Sequence, residues 1–451
     1  MGLTAWAVQA GVLCLGLAAA GRSEAEVATP QVVDVGALSQ RFSDFQRRCA
    51  VDGQRLWGQS LCGPLLVVEP DTRVFVASQR PGTSGRAAVG TGPWLGVIPE
   101  GVDLADTALT WAGATWVQLR APLPESPERL DALLIHEAFH RTRVSRGHEE
   151  LGEGANAHLD SAEGRTLLQL EWRALASALQ AQRPAERREA IEDALVFRAA
   201  RQARFPTGAV EERALEREEG LAEDTGLAVS ARDAEARRRL VLENLSTGAL
   251  RRSFVRAFAE ASGPAYGALL DDSSAANTWR AAVLADGDLG LLLARALRLP
   301  EAPVVVASAV AARAKRYNGD ALREAEVDRE RVTRARAERM RALLVEGPVL
   351  RLVLSGGDFL VNPGPHVALA EHGTVFPGAR LVEDWGSLEA TAEVLVSADG
   401  AFAVVAGPIS DAEGSRLEGV GWVLELAPGW QLGPGEREGD FILEEVLAPV
   451  P

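Results

Sequence analysis

The sequence predicts an α+β chain in three regions: a mixed N-terminal sheet region over 21–125, a mainly helical region over 126–346 and a small all-β domain over 347–451. Three observations carry that expectation. Before residue 125, short apolar runs alternate with Gly- and Pro-rich turns, the pattern of strands. Long Ala- and Leu-rich stretches with helical spacing follow. After Gly347-Pro348 the short runs return, now set between Gly, Pro and Asp. A chain of 451 residues that is 47% hydrophobic can build cores for all of these regions.

Residues 1–20 read as a secretion signal. The run from Ala5 to Ala20 is broken only by Gln9 and closes on Ala18-Ala19-Ala20, small residues suited to cleavage. The mature chain is therefore expected to be secreted or periplasmic. It holds no later run long enough for a membrane span. Residues 34–48 have helical spacing, and 65–68, 73–77, 94–98, 108–111 and 115–119 read as strands. The Gly-rich stretch 80–93 reads as a loop and matches no phosphate-binding pattern, since no Lys-Ser/Thr pair follows it.

Ser126-Pro127-Glu128 supplies an N-cap, a first-turn proline and an early acid, so a helix is expected to start there. Further helices are expected over 165–180, 187–205, 209–224, 231–244, 253–261, 287–299 and 320–345. The last is highly charged and reads as a solvated face laced with i,i+4 pairs. Strands are then expected at 350–354, 391–397, 401–406, 421–426 and 441–445. They form a region of a size that commonly folds alone.

The net charge of -16 argues against nucleic acid or an anionic membrane as the main partner. Removing the signal takes Cys14 with it and leaves Cys49 and Cys62. In an exported chain that pair is expected to form a disulfide.

The chemistry centres on His136-Glu137-Ala138-Phe139-His140, two of the chain's six histidines set after the apolar run Leu133-Leu134-Ile135. Histidines four apart on a helix share one face, about 6 Å apart along the axis, as a zinc ion requires of two imidazoles. The glutamate between them is then placed as general base. A third protein ligand is needed, with a position left open for water. His148 and His158 lie nearby, but no metzincin Gly-x-x-His spacing follows His140. A carboxylate from another helix is expected instead: Glu163, Glu171 or Glu219.

Glu218-Glu219-Gly220-Leu221-Ala222-Glu223 resembles the Asn-Glu-Gly-Phe/Leu-Ala-x-Tyr segment of gluzincin metallopeptidases, the thermolysin and aminopeptidase N kind, which also carry His-Glu-x-x-His. The resemblance covers the two motifs and their helices, about a third of the chain. It departs from the family at Glu218, at Asp224 and in a longer gap after His140, which a helical hairpin over 165–205 would account for. The resemblance implies a zincin-like catalytic region, a bound Zn2+, His136, His140 and Glu219 as ligands, and Glu223 holding a ligand imidazole. Glu219 ranks first on this ground, with Glu163 and Glu171 still open.

The expected activity is hydrolysis of a peptide or protein substrate by an activated water, with Glu137 taking its proton and delivering it to the leaving amine. Tyr266, in Ser262-Gly263-Pro264-Ala265-Tyr266-Gly267, is the candidate second donor to the oxyanion, its alternative being a buried packing tyrosine. Strand 115–119 is a candidate edge strand that would pair with the substrate backbone. The rival expectation is a catalytically inactive zincin-like binding or scaffold protein of the cell envelope, motivated by the departures at Glu218 and Asp224.

Overall fold

The computed structural model describes residues 35–446 except 83–85, 88–92, 103, 105–106, 145–155, 274–277, 302, 304, 363, 365, 408–410 and 414. The expected signal segment and His148 lie outside the described residues. The chain divides into two units, 1–148 and 149–451.

In the first unit, helix α1 (Val35–Trp57) precedes strands β1 (Leu65–Val68), β2 (Val74–Ala77), β3 (Arg86–Ala87), β4 (Trp94–Val97), β5 (Thr107–Trp111) and β6 (Ala114–Arg120), and α2 (Pro127–Val144) closes it. The sheet order is β3-β4-β2-β1-β6-β5. Strand β1 runs parallel to β6, with Leu65 opposite Val117, and the other pairings are antiparallel. Leu66, Val68, Phe75, Ala77, Ile98 and Trp116 form one buried cluster. Leu65, Val67, Val117 and Leu119 alternate with them and are also buried, and α2 packs on β5 and β6. Apolar residues on both faces mark a strand pair covered on both sides.

Two corrections follow. Strand β6, expected at an edge, lies inside the sheet because β5 folds back along it as a hairpin; the edge is β5. The histidine helix α2, expected to open the helical region at 126, belongs with the N-terminal sheet because its apolar side is buried there.

The second unit begins with α3 (Ala162–Gln180) and α4 (Pro184–Arg204), the expected hairpin. Then come α5 (Pro206–Leu215), a π turn (Glu216–Gly220), α6 (Leu221–Ser230), α7 (Ala234–Gly248) and α8 (Ala257–Ser273). The shorter helices α9 (Thr278–Leu284), α10 (Leu289–Ala296) and α11 (Ala307–Ala314) lead to α12 (Gly319–Arg341). Pro206 falls between the expected helices 187–205 and 209–224 and starts α5, where its missing N–H costs nothing.

Among the described residues, the C-terminal strands form a seven-stranded and a six-stranded sheet. Leu350, Leu352, Ala403 and Val405 of the first pack against Leu381, Leu388, Trp422 and Leu424 of the second. Pairing is antiparallel except between Val349–Val353 and Phe441–Glu445. On the opposite face of the larger sheet, Leu395, Val404 and Ala406 bury Met340 of α12 and Leu344 of the π turn that follows it (Ala342–Glu346). That shared core explains why the chain has no boundary at 346/347 and why the β region does not stand apart from the helices. The α+β class holds, and no helix among the described residues is long and apolar enough to cross a membrane.

Candidate metal centre

Helix α2 starts as its sequence dictates. Arg129 N–H donates to the Ser126 hydroxyl at 3.4 Å, and Pro127 and Glu128 occupy the first turn. The other residues of the helix are anchored within the same unit. Phe139 packs on Trp57 with ring centroids 5.0 Å apart, and Arg41 and Arg48 pair with the buried Asp131. Directly after the motif, Arg141 Nη2 donates to the Cys62 carbonyl at 2.6 Å. Cys62 is bonded to Cys49, the expected disulfide. Gly63 makes room for the Arg141 side chain: a Cβ there would lie 2.2 Å from its Nε.

These anchors leave His136 and His140 on the remaining face, with their Nε2 atoms 3.1 Å apart. If both nitrogens bonded one ion at about 2.05 Å, the angle between them would be about 98°, near the tetrahedral value for zinc. Glu137 is buried, and its Oε1 lies 4.0 Å from His136 Nε2. One ligand atom each from His136, His140 and Glu219 lie within 4.8 Å of one another. Two imidazole nitrogens and a carboxylate oxygen make a donor set that fits a divalent metal ion.

Glu219 sits in the π turn, where the Leu221 N–H bonds to the Glu216 carbonyl five residues back. Such bulges recur at functional sites because the extra residue reorients the side chains around it. The following glycine has a packing reason. A Cβ on Gly220 would lie 3.3 Å from the Ala259 carbonyl oxygen and from Gly263 Cα. One on Gly263, in α8, would lie 2.5 Å from Gly220 Cα and O. Two glycines let the backbones touch.

The other acids weighed for the third ligand are engaged elsewhere. Glu163 is exposed and pairs with Arg204 at 2.8 Å. Glu171 is fully buried, pairs with Arg201 and accepts the Tyr266 hydroxyl at 2.7 Å. His158 Nε2 is 2.7 Å from Glu212 Oε1.

Tyr266 itself lies inside α8 and is completely buried. Burial and the neighbouring Glu171 push its phenol well above the usual tyrosine range. Its proton is held by Glu171, so the expected oxyanion role gives way to the packing alternative. Glu223, expected to hold an imidazole, accepts from Asn244 Nδ2 at 2.7 Å. The same Asn244 amide donates to the Glu260 carbonyl at 3.1 Å, the acceptor that Pro264, lacking an N–H four residues on, cannot serve. Asp224, where the family segment has Tyr, is fully buried and bound by Arg237 and Arg280 at 2.6 and 2.7 Å.

Sequence reasoning missed a buried charge cluster beside Glu219. Arg198 donates to both oxygens of Glu216 at 2.8 and 2.6 Å and to Asp288 at 2.9 Å, while Arg201 donates to both oxygens of Glu212 at 2.8 and 2.9 Å. Burial opposes ionisation of Glu212, but Arg201 outweighs it and holds the carboxyl well below the usual range. At Glu216, burial and the nearby acids Asp288 and Glu212 outweigh Arg198 and push the carboxyl up to about 7. The available signal was two arginines three apart in the apolar run Leu195-Val196-Phe197 to Ala199-Ala200.

Comparison of the chain with protein-family models, curated proteins and solved structures returned no match.

Proposed function

We propose that the chain is a zinc-dependent metallopeptidase of the gluzincin kind, with His136, His140 and Glu219 as ligands and Glu137 as general base. The convergence of His136 Nε2, His140 Nε2 and a Glu219 oxygen carries this reading. Bound zinc would act as a Lewis acid and lower the pKa of a water to about 7. Glu137 then takes the proton of the attacking water on its carboxylate and passes it to the leaving amine. Its burial shields that transfer from bulk water. Glu223, oriented by Asn244, is assigned to hold a ligand imidazole. An extended peptide would pair with the edge strand β5. The disulfide agrees with an exported protein.

Metal analysis of the purified chain tests the reading, together with peptide hydrolysis by wild type and Glu137→Gln. About one zinc per chain is expected, with turnover lost and metal kept in the variant. Metal-free protein at neutral pH would overturn it. One observation favours a second reading, a zinc-binding scaffold without turnover: the Tyr266 hydroxyl is held by Glu171, so the second oxyanion donor is not supplied from there. Zinc at full occupancy with no hydrolysis across a broad peptide library would select it.

A further inference from the structure

The π turn that carries Glu219 is fixed on both sides. Glu216 opens it three residues earlier, with both carboxylate oxygens bound by Arg198, and Gly220 closes it against Gly263. Arg198 is itself held in place, donating to Asp288 at 2.9 Å and lying 5.2 Å from the Tyr266 ring centre. All these groups are buried or nearly so.

A pair this deep is not explained by stability, since apolar packing of equal volume commonly does as well once desolvation is counted. What a bidentate guanidinium–carboxylate pair adds is direction: two parallel hydrogen bonds allow one orientation of the carboxylate relative to the fork. Here that orientation belongs to the first residue of a non-standard turn. An α turn in its place would swing the following side chains by about 100°, one residue's worth of helix rotation.

We infer that Arg198 and Glu216 are positioning residues for the metal centre: their ion pair locks the π turn and thereby aims the Glu219 carboxylate. The inference rests on the proposed assignment of Glu219 as a ligand. Glu216→Gln keeps the shape and one acceptor but loses the ionic, two-point hold, so the turn samples other arrangements and Glu219 spends less time in place. Zinc affinity is expected to fall at least tenfold, within the range of about 10–100-fold seen when groups supporting metal ligands are removed.

The experiment is a double-mutant cycle on the full chain, with zinc alone as the probe and a competing chromophoric chelator as the readout. Circular dichroism and unfolding of the metal-free forms check the fold. Glu216→Gln should weaken zinc binding in the wild-type background and leave unchanged the weak residual affinity that His136 and His140 alone give a Glu219→Ala chain at raised zinc concentration, because its action passes through that carboxylate. Equal weakening in both backgrounds, or none in either, would overturn the inference. Arg198→Lys, which keeps the charge but not the fork, is expected to reproduce the pattern and replaces Glu216→Gln should that variant not fold. Wild-type chain without zinc affinity would remove the proposed function and this inference together. Wild-type zinc binding that is lost in Glu219→Ala but indifferent to Glu216 would remove this inference alone.

Discussion

Gly263→Ala is a sharp test because two effects predict opposite signs. In the interior of a helix the change should stabilise by about 1 kcal/mol, since alanine loses less backbone entropy. In this fold the new Cβ would lie 2.5 Å from Gly220 Cα and O and 2.7 Å from Gly220 C. All three are backbone atoms, so no rotamer change relieves the overlap; α8 and the π turn must separate. Overpacking of this kind costs about 1–3 kcal/mol, and three simultaneous backbone overlaps place it at or beyond the upper end. A net loss of about 2 kcal/mol or more is expected, together with weaker zinc binding because Glu219 adjoins Gly220. Gly220→Ala should cost less, as its nearest contacts are 3.3 Å away. Urea unfolding of the metal-free chain, read by tryptophan fluorescence, gives the midpoints. A Gly263→Ala variant as stable as wild type or more so would refute the close approach, and with it the packing reason for the glycine in the Glu-Gly-Leu motif.

Other outcomes follow from the same geometry. Glu219→Ala should lose zinc, while Glu163→Ala should keep it and change stability by no more than about 1 kcal/mol, its pair with Arg204 being exposed; inductively coupled plasma analysis of the two proteins decides. Glu171→Ala leaves the Tyr266 hydroxyl and one Arg201 nitrogen without their acceptor, while Arg201 keeps its pair with Glu212, and should cost about 1–3 kcal/mol, measured as a drop in denaturation midpoint. Burial opposes ionisation of Asp271, but Arg280, Arg237 and Trp279 outweigh it and hold its carboxyl at about 2, below the ordinary 3.8. A lowered acid stabilises above its unfolded value, and the contribution disappears as pH falls through the folded one. Asp271→Asn should therefore be less stable than wild type by about 2 kcal/mol at pH 5, a gap that narrows below pH 3.8 and is nearly gone at pH 2; acid titrations that stay parallel would contradict this. Reducing the Cys49–Cys62 disulfide opens a short loop and should cost about 3 kcal/mol in a chain-entropy account, seen as a lower melting temperature in reductant.

Much of the N-terminal sheet was legible along the chain. The apolar runs at 65–68, 94–98 and 108–111 correspond to Leu65–Val68, Trp94–Val97 and Thr107–Trp111, because short apolar runs between turn residues mark strands, most clearly at Leu65–Val68, which is buried throughout. The Ser126-Pro127 start of the histidine helix, the i,i+4 histidine pair and the Cys49–Cys62 bridge were legible for the same reason: caps, helix period and a leftover cysteine pair are local or compositional facts. In the C-terminal region the sequence located five strands and missed others such as Ala379–Glu383 and Gly386–Ala390, where Arg380 and Glu389 pair on the solvent side and dilute the apolar signal.

What no local pattern could supply is which groups meet from distant parts of the chain. Strand order put β6 inside the sheet, and Met340 and Leu344 tied the last helix to the β-sandwich, because both outcomes depend on which faces find cover in three dimensions. The acids divide in the same way. Glu163, Glu171 and Glu219 read alike as helical glutamates. Only the fold gives the first to an exposed arginine, buries the second between Arg201 and Tyr266, and leaves the third in a group with His136 and His140 that could hold a metal ion. The sequence determined the two imidazoles, since a helix places residues four apart on one face whatever surrounds it. The tertiary structure decided which acids are taken up by arginines, since a charged side chain takes its role from the partners folding brings within reach.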